Sequence, residues 1–209
     1  MHLRIVSLIA FIVISIGVHA QNYDSIKTVI QTKGGYPTLV NRFVNADSTF
    51  SKDDFYLLYY GFPTTTAYQP EEIAFQEALL KPYSVAGKPQ EVIALADSII
   101  KIDPVSITAY FEYAYALNTL QRSSEAAYYF SRYQLFCRII TLSGKGSASR
   151  PYLVNTANDA IEFLSYLNLR AFEDQSLGDG LIEFKLVKNK RKLKSVYFKM
   201  PVAGYTIDE

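Results

Sequence analysis

The strongest constraint on this chain is an internal repeat of helical pattern. When Glu91 is laid on Glu125, the stretch around 71–104 matches the stretch after it in a register of 34 residues. The first copy closes with Ala94, Asp97, Ser98, Ile99, Asp103 and Pro104. The second runs from Val105 through Tyr110, Ala114 and Leu117 to Ala126, Phe130 and Tyr133. Apolar residues within each copy recur every three or four positions, which puts them on one stripe of a helix. Such a stripe is buried only against a neighbouring helix, so the pattern demands stacked helical hairpins.

Thirty-four residues is the period of a tetratricopeptide unit, and that is the architecture expected for 70–140. Pro70-Glu71-Glu72 opens it, with a proline and acids suited to a first helical turn. Pro82 is expected to end or kink the first helix. Gly87-Lys88-Pro89 makes a turn, a helix follows to about Lys101, and Asp103-Pro104 closes it. Val105 to Leu120 and Ser124 to about Ile140 form the second pair, with Ser124 as the cap.

Helical spacing continues on both sides. Tyr23, Ile26, Val29 and Ile30 share a face before Gly34-Gly35, and Leu39, Val40, Phe43 and Val44 share another after Tyr36-Pro37. Ser51 is a suitable N-cap for a third helix ending at Gly61-Phe62-Pro63. Beyond Pro151 one more helix carries Ala160, Ile161, Phe163 and Leu164 and ends near Leu169. The period then changes from 3.6 to 2. Ile182, Phe184 and Leu186 alternate with polar residues, as do Val196, Phe198 and Met200, predicting a β-hairpin over 181–200. The fold class is mostly α, with stacked tetratricopeptide-like hairpins and a small C-terminal β-hairpin docked on them.

Arg4, the apolar run from Ile5 to Val18 and the sequence Val18-His19-Ala20 read as a secretory signal peptide over 1–20. Residues 21–209 then form one periplasmic or secreted domain with no stable membrane anchor. Of 21 Lys+Arg only Arg4 is lost and none of the 20 Asp+Glu, so the remainder is formally neutral. A neutral domain offers no global attraction to nucleic acid. Both histidines, His2 and His19, leave with the signal. What remains cannot run Ser-His-Asp or Cys-His chemistry and lacks the commonest transition-metal ligand. Cys137 alone makes neither an intramolecular disulfide nor a thiolate cluster. No cofactor is expected. The loop from Leu142 to Arg150, with Gly144 and Gly146, lacks the length and strand–helix context of a phosphate cradle.

Five segments carry a resemblance: Tyr36-Pro37 through Arg42-Phe43; Phe55-Tyr56-Leu57-Leu58-Tyr59-Tyr60-Gly61-Phe62 with Tyr68 following; Asp103-Pro104; Ser143-Gly144-Lys145-Gly146; and Val196-Tyr197-Phe198. In these the chain resembles uncharacterised secreted proteins of Bacteroidota-type bacteria, classed only as a domain of unknown function. The resemblance spans nearly all of 21–209. It implies an envelope or secreted protein of stacked helices and brings no activity or catalytic residue. Similar members have an acid where this chain has Lys145, which argues against a shared cation site.

Function has to be argued from a site rather than a fold. In a solenoid of this kind the first helix of each pair lines the concave face, which places Thr108, Phe111, Tyr115, Asn118 and Thr119 there. Ala74, Glu77 and Lys81 of the preceding unit would join them. Aromatics with an asparagine suit recognition of a protein or peptide in the cell envelope, and a non-enzymatic interaction module is the leading expectation. The plainer reading is that these aromatics are core. The alternative from another class is a carboxylate-dependent hydrolase of envelope glycans, which needs two acids facing across a cleft. Two other clusters have plain readings as well. Tyr56, Tyr59, Tyr60, Phe62 and Tyr68 could stack on a sugar but more simply pack a core. The basic run from Lys185 to Lys199 could meet an anionic partner or could simply keep the hairpin solvated.

Overall fold

The computed structural model describes residues 23–201. The expected signal peptide at 1–20 therefore lies outside the described residues. In chain order the elements are α1 (Tyr23–Thr32), α2 (Tyr36–Val44), α3 (Lys52–Gly61), a 3-10 turn (Phe62–Thr64), α4 (Pro70–Ala78), α5 (Leu80–Val85) and α6 (Pro89–Ile102). There follow α7 (Ile107–Thr119), α8 (Ser123–Ser143), β1 (Tyr152–Leu153), α9 (Ala157–Tyr166), β2 (Ala171–Ser176), β3 (Leu181–Leu186) and β4 (Ser195–Lys199). The class is mostly helical with a small C-terminal sheet.

Helix α3 begins where the sequence places it, and its start is heavily determined. The Ser51 hydroxyl accepts from the Asp54 amide at 3.1 Å while Asp54 accepts from the Ser51 amide at 2.9 Å, a reciprocal capping box. Lys33 reaches the same carboxylate at 2.8 Å from the end of α1, and Arg42 reaches it at 3.4 Å from α2. One buried acid thus fixes three helices. Further along, Leu58, Tyr59 and Tyr60 are consecutive and all wholly buried. A helix buried on successive residues has neighbours on every side. The tyrosine cluster is accordingly core, with Phe62 buried beside it and Tyr56 half-exposed.

Helix α7 is the second enclosed element. Ala109 and Ala116 turn toward α5 and α6 and complete a small core with Leu80, Val92, Ala96 and Ile99. Ile107 and Tyr110 belong to the main core, which runs from Ile26 through Phe136 and Phe163 to Phe198.

Several boundaries differ from expectation. Helix α7 starts at Ile107, because Ser106 rather than an earlier residue is its cap and accepts from the Ala109 amide at 3.1 Å. Helix α8 starts at Ser123, so Ser124 is inside it and caps nothing. The break after α4 falls at Leu79, before Pro82. A proline ring collides with the carbonyl four residues back, here Ala78, so the helix yields ahead of the proline. Helix α9 stops at Tyr166 because Asn168 adopts φ 56° and the Leu169 amide turns back to the Leu164 carbonyl at 2.8 Å.

The expected hairpin is present as the antiparallel pair β3–β4, with Ile182 opposite Phe198 and Phe184 opposite Val196. It belongs to a sheet of four strands, ordered β1-β4-β3-β2. Strand β1 runs parallel to β4, and β2 pairs antiparallel with β3 as an edge. Phe163 of α9 meets Tyr152 and Phe198 edge-on at 5.0 and 6.2 Å, which seats the apolar face of the sheet on the helices.

The loop before β1 is packed tightly. Its Gly146 carbonyl accepts the Tyr197 amide at 3.0 Å, and the Lys145 amide bonds the Arg150 carbonyl at 2.8 Å. A Cβ on Gly144 would lie 2.0 Å from the Pro151 carbonyl oxygen, which is backbone and cannot swing away. Gly144→Ala is therefore expected to cost about 2–4 kcal/mol. Gly87→Ala, where a Cβ meets nothing within 4 Å and only φ +66° resists, should cost about 1 kcal/mol. Urea unfolding of the two variants beside the parent measures the contrast.

Candidate functional site

Four residues of α7 and four of α8 enclose an open cleft of about 360 Å³. From α7 come Phe111, Ala114, Tyr115 and Asn118, at the spacing of one helical face. From α8 come Ser123, Ala126, Ala127 and Phe130. Alanines form the floor, since Ala114 and Ala126 are nearly buried, and their small side chains let the two backbones leave a channel. Aromatic rings form the walls. Tyr115 is 54% exposed and Phe130 41%, while Phe111 and Phe130 lean on the core ring of Tyr133 at 5.1 and 5.6 Å. An apolar surface of this kind is left in water at a cost unless something covers it.

Three expected residues, Phe111, Tyr115 and Asn118, are thus brought together. Thr119 is exposed one position on, its hydroxyl donating to the Tyr115 carbonyl at 3.0 Å. Thr108 is half-buried in the first turn of α7, outside the cleft lining. Lys81 stands in solvent, 3.8 Å from Glu112. Glu77 does not line a binding face. It is 3% exposed, accepts from the Ser106 hydroxyl and from Asn158 Nδ2 at 2.7 Å, and so ties α4 to the cap of α7 and the first turn of α9. The helical period that put Glu77 beside the aromatics does not register that Ser106 and Asn158 close over it.

A wider cleft of about 740 Å³ lies between α1, α2, the 3-10 turn and the end of α6. Its rings are already engaged: the Tyr36 hydroxyl donates to the Leu58 carbonyl at 2.9 Å, and Phe62 is 1% exposed.

The interior acids are the feature that the sequence did not announce. Asp159, at the start of α9, accepts from the Tyr59 hydroxyl at 2.7 Å and the Asn155 amide at 3.2 Å. Burial, and then the nearby charge of Glu77, push its carboxyl up to about 7 despite those donors. Burial pushes Glu162 up to about 7 as well. Asp103 is raised by burial and by Asp159 and Glu77, and Glu77 by burial. None of these acids lines the two clefts above or two further clefts beside the sheet, where the lining acids, Glu173 and Asp174, are neighbours on one strand. No two acids therefore oppose each other across those clefts as a glycosidase requires. Among the described residues no group of three His, Cys, Asp or Glu could hold a metal ion. Cys137 is buried, and burial raises its thiol far above the ordinary range.

A helical domain closed by a small sheet, with several buried acids and an apolar seam between α7 and α8, defines an architecture rather than a reaction. The model of a domain-of-unknown-function family, DUF4919, matches residues 24–203, and the chain belongs to that family. No curated protein and no solved structure matches it.

The two sets of acids fix how stability should depend on pH. Asp159 and Glu162 hold protons in the folded state that the unfolded chain has released above about pH 4.5, so stability falls as pH rises toward about 7 and then levels. Asp54 behaves oppositely. Burial raises it, but Lys33 and the Ser51 amide and hydroxyl outweigh burial and hold it at about 2. Its contribution is complete above about pH 4 and is lost as pH falls toward 2. Thermal unfolding should therefore show a maximum near about pH 4–5, and Asp159→Asn should flatten the decline on the alkaline side.

Proposed function

We propose that this is a non-enzymatic interaction module of the cell envelope, which uses the seam between α7 and α8 to hold an apolar helical segment of a protein partner. One observation carries the reading: Tyr115 and Phe130 are large, exposed and opposed across an alanine floor, with no element of the described chain laid over them. A helix offering apolar side chains at i, i+3 and i+4 would fill that channel, and Asn118 at its end would give one directional hydrogen bond. Exposed aromatics over a small-residue floor are the usual anchors of such contacts.

Two finer statements belong to this reading. The stack from α4 to α8 is tetratricopeptide-like, supported by the register of Glu91 on Glu125 and by helices that begin at Pro89 and at Ser123. The protein works in the periplasm or is secreted, in a Bacteroidota-type envelope, supported by the character of residues 1–20 and by the resemblance noted above. The hydrolase alternative lacks a supporting geometry in the clefts described above, where no two acids face each other.

The test is capture from an envelope extract with the parent, a Tyr115→Ala/Asn118→Ala variant and Ala127→Trp. Ala127 is exposed on the channel side, so the new ring blocks the seam without entering the core. A defined partner held by the parent and lost at least about tenfold by both variants, each with the parent's melting temperature, is the expected result. Equal retention by the variants would show that the seam binds nothing.

A further inference from the structure

The turn between β3 and β4 gathers cations that nothing in the fold explains. Lys185 is paired with Glu173 at 2.7 Å, and Lys199 is bonded to the Asp179 carbonyl. Lys188, Lys190, Arg191, Lys192 and Lys194 have no acid within ion-pair distance among the described residues. The turn is nonetheless fixed. Asn189 Nδ2 donates to the carbonyls of Val187 and Leu193 at 3.0 and 2.8 Å, and its oxygen accepts the Leu193 amide at 3.2 Å. The lysines are displayed on a built loop, around a shallow cleft of about 560 Å³ that contains no carboxylate.

The same cleft is walled by Phe172 and Leu193, which are 66% and 41% exposed. Phe172 points outward for a structural reason. The register of β2 on β3 shifts between Ala171 and Glu173, so Phe172 is the extra residue of a β-bulge, a device that re-aims a side chain. A large apolar residue is thus turned into solvent in the same cleft as Lys188, Lys192 and Lys194, three of the five unpaired cations.

We propose that this end of the sheet is a peripheral binding surface for an anionic lipid bilayer, independent of the α7–α8 seam. Lysines near a negatively charged leaflet are each attracted to it, and an adjacent aromatic inserts at the level of the head groups. A soluble polyanion would satisfy the cations but offers no apolar phase to Phe172. A bilayer supplies both. Glu173 is held by Lys185, and neither Glu183 nor Asp174, the other acids of the sheet, lines the cleft that holds Lys188, Lys192 and Lys194.

The chain contains no tryptophan, so Phe172→Trp makes a single reporter. Its emission should shift to the blue with vesicles containing phosphatidylglycerol and stay unchanged with phosphatidylcholine alone. In sedimentation with the anionic vesicles, neutralising Lys188, Lys190, Lys192 and Lys194 to Gln should weaken binding by about a hundredfold or more. Phe172→Ser should weaken it by about tenfold. These side chains are exposed, and equal melting temperatures confirm that the variants are folded. The proposal is overturned if the neutralised variant binds like the parent or if phosphatidylcholine is bound equally well. It is also overturned if heparin is bound as tightly as the vesicles while Phe172→Ser has no effect, which would make the surface one for soluble polyanions.

Discussion

The sheet and the helices are held as one body by a polar joint between the middle of α3 and the start of α9. Tyr59 donates to Asp159, Asn155 Nδ2 donates to the Tyr59 carbonyl at 2.8 Å, and Tyr68 donates to the Asn155 carbonyl at 2.7 Å. Tyr60 adds a bond to the Leu153 carbonyl at 3.2 Å, inside β1. Because Asp159, Asn155 and Tyr59 are buried, the groups paired in this joint have exchanged water for protein partners, Asn155 Oδ1 alone being left without one among the described residues, and losing any paired group leaves its partner unsatisfied at about 1–3 kcal/mol. Strand β1 is placed by this joint, β4 pairs with β1, and the remaining strands follow from β4. The position of the basic turn is thus decided by tyrosines on α3.

The near-zero net charge of residues 21–209 conceals a strong separation. Four acids, Glu77, Asp103, Glu112 and Asp159, are all 4% exposed or less, while five cations without an acid partner among the described residues sit together on one turn of the sheet. Each interior acid does a local task. Glu77 holds the cap of α7, Asp159 the joint, and Glu112 accepts from the Ser84 hydroxyl between α5 and α7. The consequence is an interior that favours protons and a local concentration of positive charge at the β3–β4 turn.

What could be read from the sequence was what repeats. The helices of 89–140 and the β3–β4 pair follow from periods of 3.6 and 2, and Phe111, Tyr115 and Asn118 fall together because they lie one turn apart on α7. Strand β2 was invisible because Ala171, Phe172, Glu173, Asp174, Gln175 and Ser176 do not alternate; an edge strand paired through its backbone has no need to. The misplaced Glu77 and the unforeseen Asp159 share a different cause. Both are carboxylates at positions that periodicity assigns to a surface, and only the approach of a distant hydroxyl or amide makes their burial tolerable. The tyrosines of α3 show the same limit from the other side, since a tyrosine in a run reads equally well as a ring to be stacked on and a ring to be buried.

The span between the partners of the α3–α9 joint also orders the assembly of the chain in time. Helices α6, α7 and α8 pack on their neighbours in sequence, so each contact closes only a short loop and can form quickly. Tyr59 and Asp159 are 100 residues apart, and the entropy of closing that loop is recovered only once both ends are buried. Hairpins therefore exist before the joint does. Until it closes, the apolar face of the sheet has no helix to rest on, and the interval between those two events is when this protein is most exposed to aggregation.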